Sequence, residues 1–204
     1  MQITVVGPAD LPELLPLLRA YCDFYQVAPE DQALLELSQA LLADPQREGL
    51  QLLARDDAGR AVGFATLYWT WQTLAAARVG VMNDLYVAAE ARGTGVAEGL
   101  IAACRERCRE HGAAQLIWQT AVDNHRAQAV YARIGATRDD RWLDYQLRRS
   151  IPADHWRPTD GPPMVRWFAD ANLAQHQQPS SPGWRHRGHL NRPPAAVLQP
   201  IWTV

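Results

Sequence analysis

Residues Met82 to Ile101 read MNDLYVAAEARGTGVAEGLI, and their order predicts a strand, a glycine turn and a helix in immediate succession. The run from Val79 to Val87 is apolar with β-branched and aromatic members, the pattern of a buried strand. Gly93 and Gly95 follow. Val96, Leu100, Cys104 and Cys108 then recur at i, i+4, i+8 and i+12 along one helix face, with Gly112 placed to end it. A helix start after a glycine turn is an anion site: its first amides lack intrahelical acceptors, its dipole end is positive, and glycine admits a close approach to the backbone. Arg92 adds a planar donor fork suited to phosphate oxygens. The stretch asks for a phosphate-bearing ligand.

Spacing narrows the choice. A Walker A loop would place Lys and Ser/Thr after its last glycine, where this chain has Val96 and Ala97. A dinucleotide fingerprint would need a third glycine at Glu98. Arg92-Gly93-Thr94-Gly95-Val96-Ala97 resembles instead the acetyl-CoA pyrophosphate loop of the GNAT-type N-acetyltransferases, Q/R-x-x-G-x-G/A. Aligned by Gly93 and Gly95, the chain carries Glu90 at the Gln/Arg position, a departure from the family pattern. A second block, AVDNHRAQAVYARIGA from Ala121 to Ala136, looks like the family's N-x-x-A-x-x-x-Y-x-x-x-G. Within the family, Asn83-Asp84-Leu85-Tyr86-Val87 is similar to the diamine and thialysine acetyltransferases. Asn83 nevertheless stands where the diamine enzymes carry a glutamate.

The rest of the chain fits that frame. Gln2–Val6 reads as a strand, and Asp10 as the N-cap of a helix to about Tyr25, with Pro16 placed to bend or delay it. A second helix is expected over Glu30–Ala43, then strands at Leu50–Arg55 and Ala61–Trp71 joined by a turn at Asp57-Ala58-Gly59. After the central stretch come a strand at Gln115–Ala121, a helix at Asn124–Ile134 with Gly135 behind it, and a strand at Arg141–Arg148. The resemblance implies the α/β GNAT fold over residues 1–149, a mixed central sheet flanked by helices. Residues 150–204 hold nine of the 14 prolines and read as an irregular extension.

Composition excludes several classes. Formal net charge is −2 and all 20 basic residues are arginine, which gives no footprint for nucleic acid. No apolar run reaches the ~18 residues of a membrane span. An odd count of 3 cysteines suits reduced thiols and a cytoplasmic setting. Cys104, Cys108 and His111 share a helix face at a spacing that would suit zinc. A fourth ligand is missing and cysteines packed on a sheet are commoner, so no metal is expected.

The resemblance also assigns roles. Acetyl-CoA would be the co-substrate, its pantetheine arm paired to the backbone of Leu85, Tyr86 and Val87 and its pyrophosphate held by Arg92, Gly93, Thr94, Gly95, Val96, Ala97 and Glu98. Asn124 and Ala127 would meet it at the start of the last helix. Tyr131 would be the general acid for the CoA thiolate and Asp84 a base acting through water. Tyr21, Asp23 and Tyr25 would form the acceptor wall with Asn83, and Trp69, Trp71 and Trp142 are further aromatic candidates. Duller readings stand beside these: Tyr131 also fits a core position, and Asn124 a plain helix cap. The expected partner is a primary amine on a small molecule or peptide, and a homodimer is the family's usual state. A non-catalytic acyl-CoA-binding or regulatory module with the same fold is the rival reading.

Overall fold

The computed structural model describes residues 1–143 and Tyr145. Its elements run β1 (Gln2–Val5), α1 (Leu11–Phe24), α2 (Asp31–Ala43), β2 (Gly49–Arg55), β3 (Ala61–Gln72), β4 (Ala77–Val87), α3 (Val96–Glu110), β5 (Leu116–Ile117) and α4 (His125–Arg133). The five strands form one sheet in chain order; β1 to β4 are antiparallel and β5 joins β4 in parallel.

Both faces of this sheet are covered, which explains why β2 and β3 read as nearly continuous apolar runs. Successive side chains still part company. Leu53 and Phe64 pack under α1 with Leu14, Leu17 and Leu18. Leu52, Ala65 and Leu67 pack under α3 with Leu100, Ile101, Cys104 and Cys108. The hairpin between β2 and β3 closes where expected: Gly59 sits at φ +79°, and Asp56 Oδ1 accepts from the amides of Ala58 and Arg60.

Three expectations need correction. Asp10 makes no side-chain bond to the helix it precedes. Its carboxylate accepts instead from the Gly7 amide at 2.7 Å and from Arg55 at 2.7 Å, tying the helix start to the edge of β2. Pro16 lies inside α1, which already begins at Leu11, so the proline does not delay the helix. The strand expected at Gln115–Ala121 shrinks to two residues, Leu116 and Ile117, paired with Gly80 and Val81. The strand at Arg141–Arg148 falls mostly outside the described residues; of its start, Arg141 is in a turn and Trp142 and Leu143 are exposed. Residues 150–204 lie outside the described residues altogether.

The reason β5 stops lies in β4. Register runs Thr66↔Asp84 and then Leu67↔Met82, so Asn83 has no partner in β3 and forms a one-residue bulge. An extra residue resets the alternation of side chains. Met82 faces α3; without the bulge Asp84 and Tyr86 would follow it. With the bulge, Tyr86 packs among the α1 residues and Leu85 and Val87 face α3.

The join of α3 to the sheet is close at Gly80. A Cβ there would overlap Cys108 Sγ and sit 3.1 Å from Leu67 and 3.2 Å from Trp69. Gly80→Ala should therefore cost about 2 kcal/mol of overpacking, or roughly 4–8 °C in melting temperature for a domain of this size. Gly80→Ala with Cys108→Ala should recover part of that loss. Additive destabilisation of the two changes, read by calorimetry, would contradict this packing.

Candidate active site

Where β4 and β5 part, a cavity of about 620 Å³ opens. Its floor is the β4 edge from Met82 to Val87, its one end the turn before α3, and its far wall the residues after β5 and the first two turns of α4. Beyond Val81 no described strand pairs with this edge of β4. Its backbone groups therefore need a partner inside the cavity.

At the turn end, Gly93 has φ +80° and Gly95, the N-cap of α3, has φ +88°. Both are left-handed conformations that a side chain resists, and a Cβ at either would meet nothing within 4 Å. The glycines are required by backbone shape, and space is left for a ligand. Arg92 Nε donates to the carbonyl of Val87 at 3.0 Å, closing the open edge of β4 at its last residue. Glu90 sits in a short 3-10 turn and is exposed. Arg92, Gly95 and Ala97 also satisfy Q/R-x-x-G-x-G/A, an alignment two residues on from the one made by Gly93 and Gly95. Thr94 donates to the Ala91 carbonyl at 2.7 Å, which braces the turn but does not line the cavity. Glu98 does line it, paired at 2.6 Å with Arg133 of α4. That hydrogen bond, and then its own amide, holds its carboxyl below the usual range. The pair spans from α3 to α4 across the mouth.

On α4, Asn124 caps the helix through Oδ1, which accepts from the Ala127 amide at 3.1 Å, and the residue also lines the cavity. Asn124 is thus both a helix cap and a lining residue of the cavity. Tyr131 faces the cavity, edge-on to Trp118 at 5.3 Å. Burial raises its phenol pKa, against a hydrogen bond from Thr120 and with a further push from nearby Tyr25. It is a phenol kept protonated in a half-buried wall.

The α1 side holds aromatic rings. Tyr25 meets Phe24 and Tyr21 edge-on, each at 5.0 Å, and Tyr21 meets Tyr86 at 6.3 Å. Tyr21, Tyr25 and Asn83 all line the cavity. Asp84 does not: it lies behind this wall, hydrogen-bonded to Tyr21, Thr66 and Asn83 Nδ2, the last at 3.0 Å. Burial raises its pKa and outweighs those three bonds. Tyr21, which also bonds to Tyr25, is pushed far above the ordinary phenol range by burial first and by the Asp84 charge second.

Other expected residues fall elsewhere. Asp23 is exposed outside the cavity. Trp69 is core, stacked on His111 at 4.0 Å and donating to the Pro45 carbonyl at 2.9 Å. Trp71 is exposed beneath the Arg78 guanidinium, and Trp142 is exposed. Cys104 and Cys108 are packed in the core, where burial pushes their thiols up to about 12 and about 11. Sequence reasoning missed Phe24, Trp118, Thr120, Arg126 and Arg133. Only the i+7 repeat of Arg126 and Arg133 on α4 offered a signal for any of them.

Comparison with known proteins identifies the family. A family model described as the acetyltransferase (GNAT) family matches residues 14–136. The uncharacterised N-acetyltransferase YhfO of Bacillus subtilis (strain 168) is 29% identical over 153 residues, covering 75% of this chain and 99% of that protein. The D-amino-acid N-acetyltransferase HPA3 of Saccharomyces cerevisiae is 31% identical over 139 residues, covering 67% of this chain and 85% of that protein. The crystal structure of a probable acetyltransferase superposes with a TM-score of 0.66 at 32% identity, covering 74% of this chain and 99% of that one. The chain belongs to the GNAT family of acetyl-CoA-dependent acetyltransferases.

Gly59 and Gly95 share a positive φ and an open Cβ position, but only Gly95 lines the cavity. Gly59→Ala and Gly95→Ala should each lose about 1–2 kcal/mol of stability from the strained conformation. Acetyl-CoA affinity, followed by calorimetry, should fall about tenfold or more in Gly95→Ala alone. Equal affinities in the two variants would remove the phosphate cradle from this turn.

Proposed function

We propose that this GNAT-family enzyme moves the acetyl group of acetyl-CoA directly to a primary amine of a small molecule or peptide, with no metal and no acyl-enzyme intermediate. The observation that carries the reading is the cavity itself. A free strand edge, a helix N-terminus behind two left-handed glycines and a protonated phenol converge on one space, with an aromatic wall opposite.

Each part has a chemical task. Backbone groups of Leu85, Tyr86 and Val87 would receive the pantetheine amides as an added strand would, up to the point that Arg92 closes. Val96 and Ala97 amides at the start of α3, with Gly93, Gly95 and Arg92, would hold the pyrophosphate. Glu98, neutralised by Arg133, would fix that end of the cavity, and Asn124 and Ala127 the other side of the cofactor. The acceptor would lie against Tyr25 and Asn83. The amine attacks as the neutral base, its ammonium proton given up to solvent; as the nitrogen bonds to the acetyl carbon, the C–S bond breaks and a second proton leaves the nitrogen. Asp84, reached through Tyr21, is the acceptor for that proton, and its raised pKa suits the task.

Tyr131 serves the leaving thiolate. A CoA thiol has a pKa near 8.5 and this phenol lies above the ordinary value of about 10. Full transfer of the proton from phenol to thiolate is thus uphill. The phenol therefore acts chiefly as a hydrogen-bond donor to developing negative charge, and protonation of sulfur completes as CoA departs.

Two measurements test the proposal. Incubation with acetyl-CoA and a broad panel of primary amines should release CoA thiol; acetyl-CoA binding with no thiol release would favour a non-catalytic acyl-CoA-binding module. Tyr131→Phe keeps the ring against Trp118 and removes the hydroxyl. It should lower kcat about 10²-fold with melting temperature and acetyl-CoA affinity little changed. Full kcat in that variant would return Tyr131 to a packing role.

A further inference from the structure

Asp84 is mostly buried and ends a polar row that crosses the sheet. Gln51, Thr66 and Asp84 are cross-strand partners on β2, β3 and β4, and Gln51 Nε2 donates to Thr66 Oγ1 at 3.3 Å. Thr66 in turn bonds to Asp84. Gln51 and Thr66 are 3% and 0% exposed, so the row is set in core. At the cavity end, Asp84 holds Asn83 by its Nδ2 and Tyr21 by its hydroxyl. With one Nδ2 hydrogen held by Asp84, Asn83 offers the cavity that it lines its Oδ1 acceptor beside the second N–H.

The charge on this row is uncompensated. Among the described residues no cation forms an ion pair with Asp84, and none contributes to its titration. The titratable groups that its field reaches are all acids: Tyr21 and Cys22 from α1 and Tyr68 from β3. A mostly buried carboxylate without a counter-ion is costly, and it attracts a cation to the nearest accessible place. That place is the cavity wall formed by Asn83, Tyr21 and Tyr25. Ring faces and a carbonyl acceptor are the groups that bind an ammonium ion. The cavity's arginines, Arg92, Arg126 and Arg133, come from the α3 turn and α4.

We propose that the acceptor amine binds here as its ammonium cation, and that Asp84 is the residue that makes this wall cation-selective. It works as a positioning residue, through its charge and through the orientation that it imposes on Asn83 and Tyr21. The inference rests on the acetyl-transfer reading only in calling the bound cation an acceptor. Binding of phenethylamine and of its neutral analogue phenethyl alcohol to the protein–CoA complex tests it without any chemistry.

In the wild-type protein at neutral pH the ammonium should bind roughly 30-fold tighter than the alcohol. In Asp84→Asn, which removes the charge and should melt no lower because a buried charge is gone, the ratio should fall to about threefold, the part owed to the rings. A second reading needs no variant. Phenethylamine stays cationic throughout the acid range, so wild-type selectivity should collapse as pH falls and Asp84 takes up its proton. The midpoint should lie above the ordinary carboxylate value of about 3.9. Tyr21, Cys22 and Tyr68 remain protonated over that range and cannot produce the change. Equal affinity for the two compounds in the wild type, no binding of either, or a ratio unchanged by both Asp84→Asn and acid would overturn the proposal. Absence of thiol release with every amine would be a separate failure, that of the transfer reading.

Discussion

One unpaired residue governs this molecule. Asn83, the extra residue in β4, turns the strand so that pairing with β5 ends after Gly80 and Val81. A sheet whose neighbouring strands part leaves backbone donors and acceptors that must be satisfied by something else. In this chain the space between them is closed at one end by the α3 turn and on the far side by α4, and it becomes the binding cavity. The bulge also exchanges the faces of everything after it. Leu85 and Val87 complete the α3 core while Asp84 and Tyr86 turn to α1. The free strand edge and the aromatic wall are thus two consequences of a single insertion.

The stability of the fold is supplied away from that feature. Leu14, Leu53 and Phe64 on one face and Leu52, Leu67, Leu100 and Cys104 on the other are sealed from solvent. Each such side chain contributes on the order of 1.5–3 kcal/mol by burial. The same sheet carries Gln51, Thr66 and Asp84 in a row where apolar side chains would be more stable. Their hydrogen bonds offset part of the cost, but burial still dominates the titration of Asp84. A polar row kept at that cost, ending at the wall of a cavity, is the arrangement expected when a scaffold spends stability on a site.

The electrostatics divide the cavity into two ends. Arg92, Arg126 and Arg133 come from the α3 turn and α4, with the positive end of the α3 dipole beside them. Asp84 and the protonated phenol of Tyr21 stand on the α1 side. A ligand with phosphates at one end and an amine approaching from the other is matched by this separation. Tyr131, half-buried between Thr120 and Trp118, faces the middle.

Much of this was legible in the residues because it is local. Helix and strand periods, the glycines at 93 and 95 and the spacing from Asn124 through Ala127 and Tyr131 to Gly135 each state a demand that the backbone makes within a few positions. They sufficed for the order of the described elements, the family and the place of the left-handed glycine turn. What tertiary structure alone decided was everything that depends on register between distant strands. A period of two cannot reveal a bulge, so nothing in the sequence said that Asp84 turns away from the cavity or that β5 ends at Ile117. Nor could composition say which tryptophans are wall and which are core. Trp118 lines the site and Trp69 stacks on His111 because of where β3, β4 and β5 lie side by side.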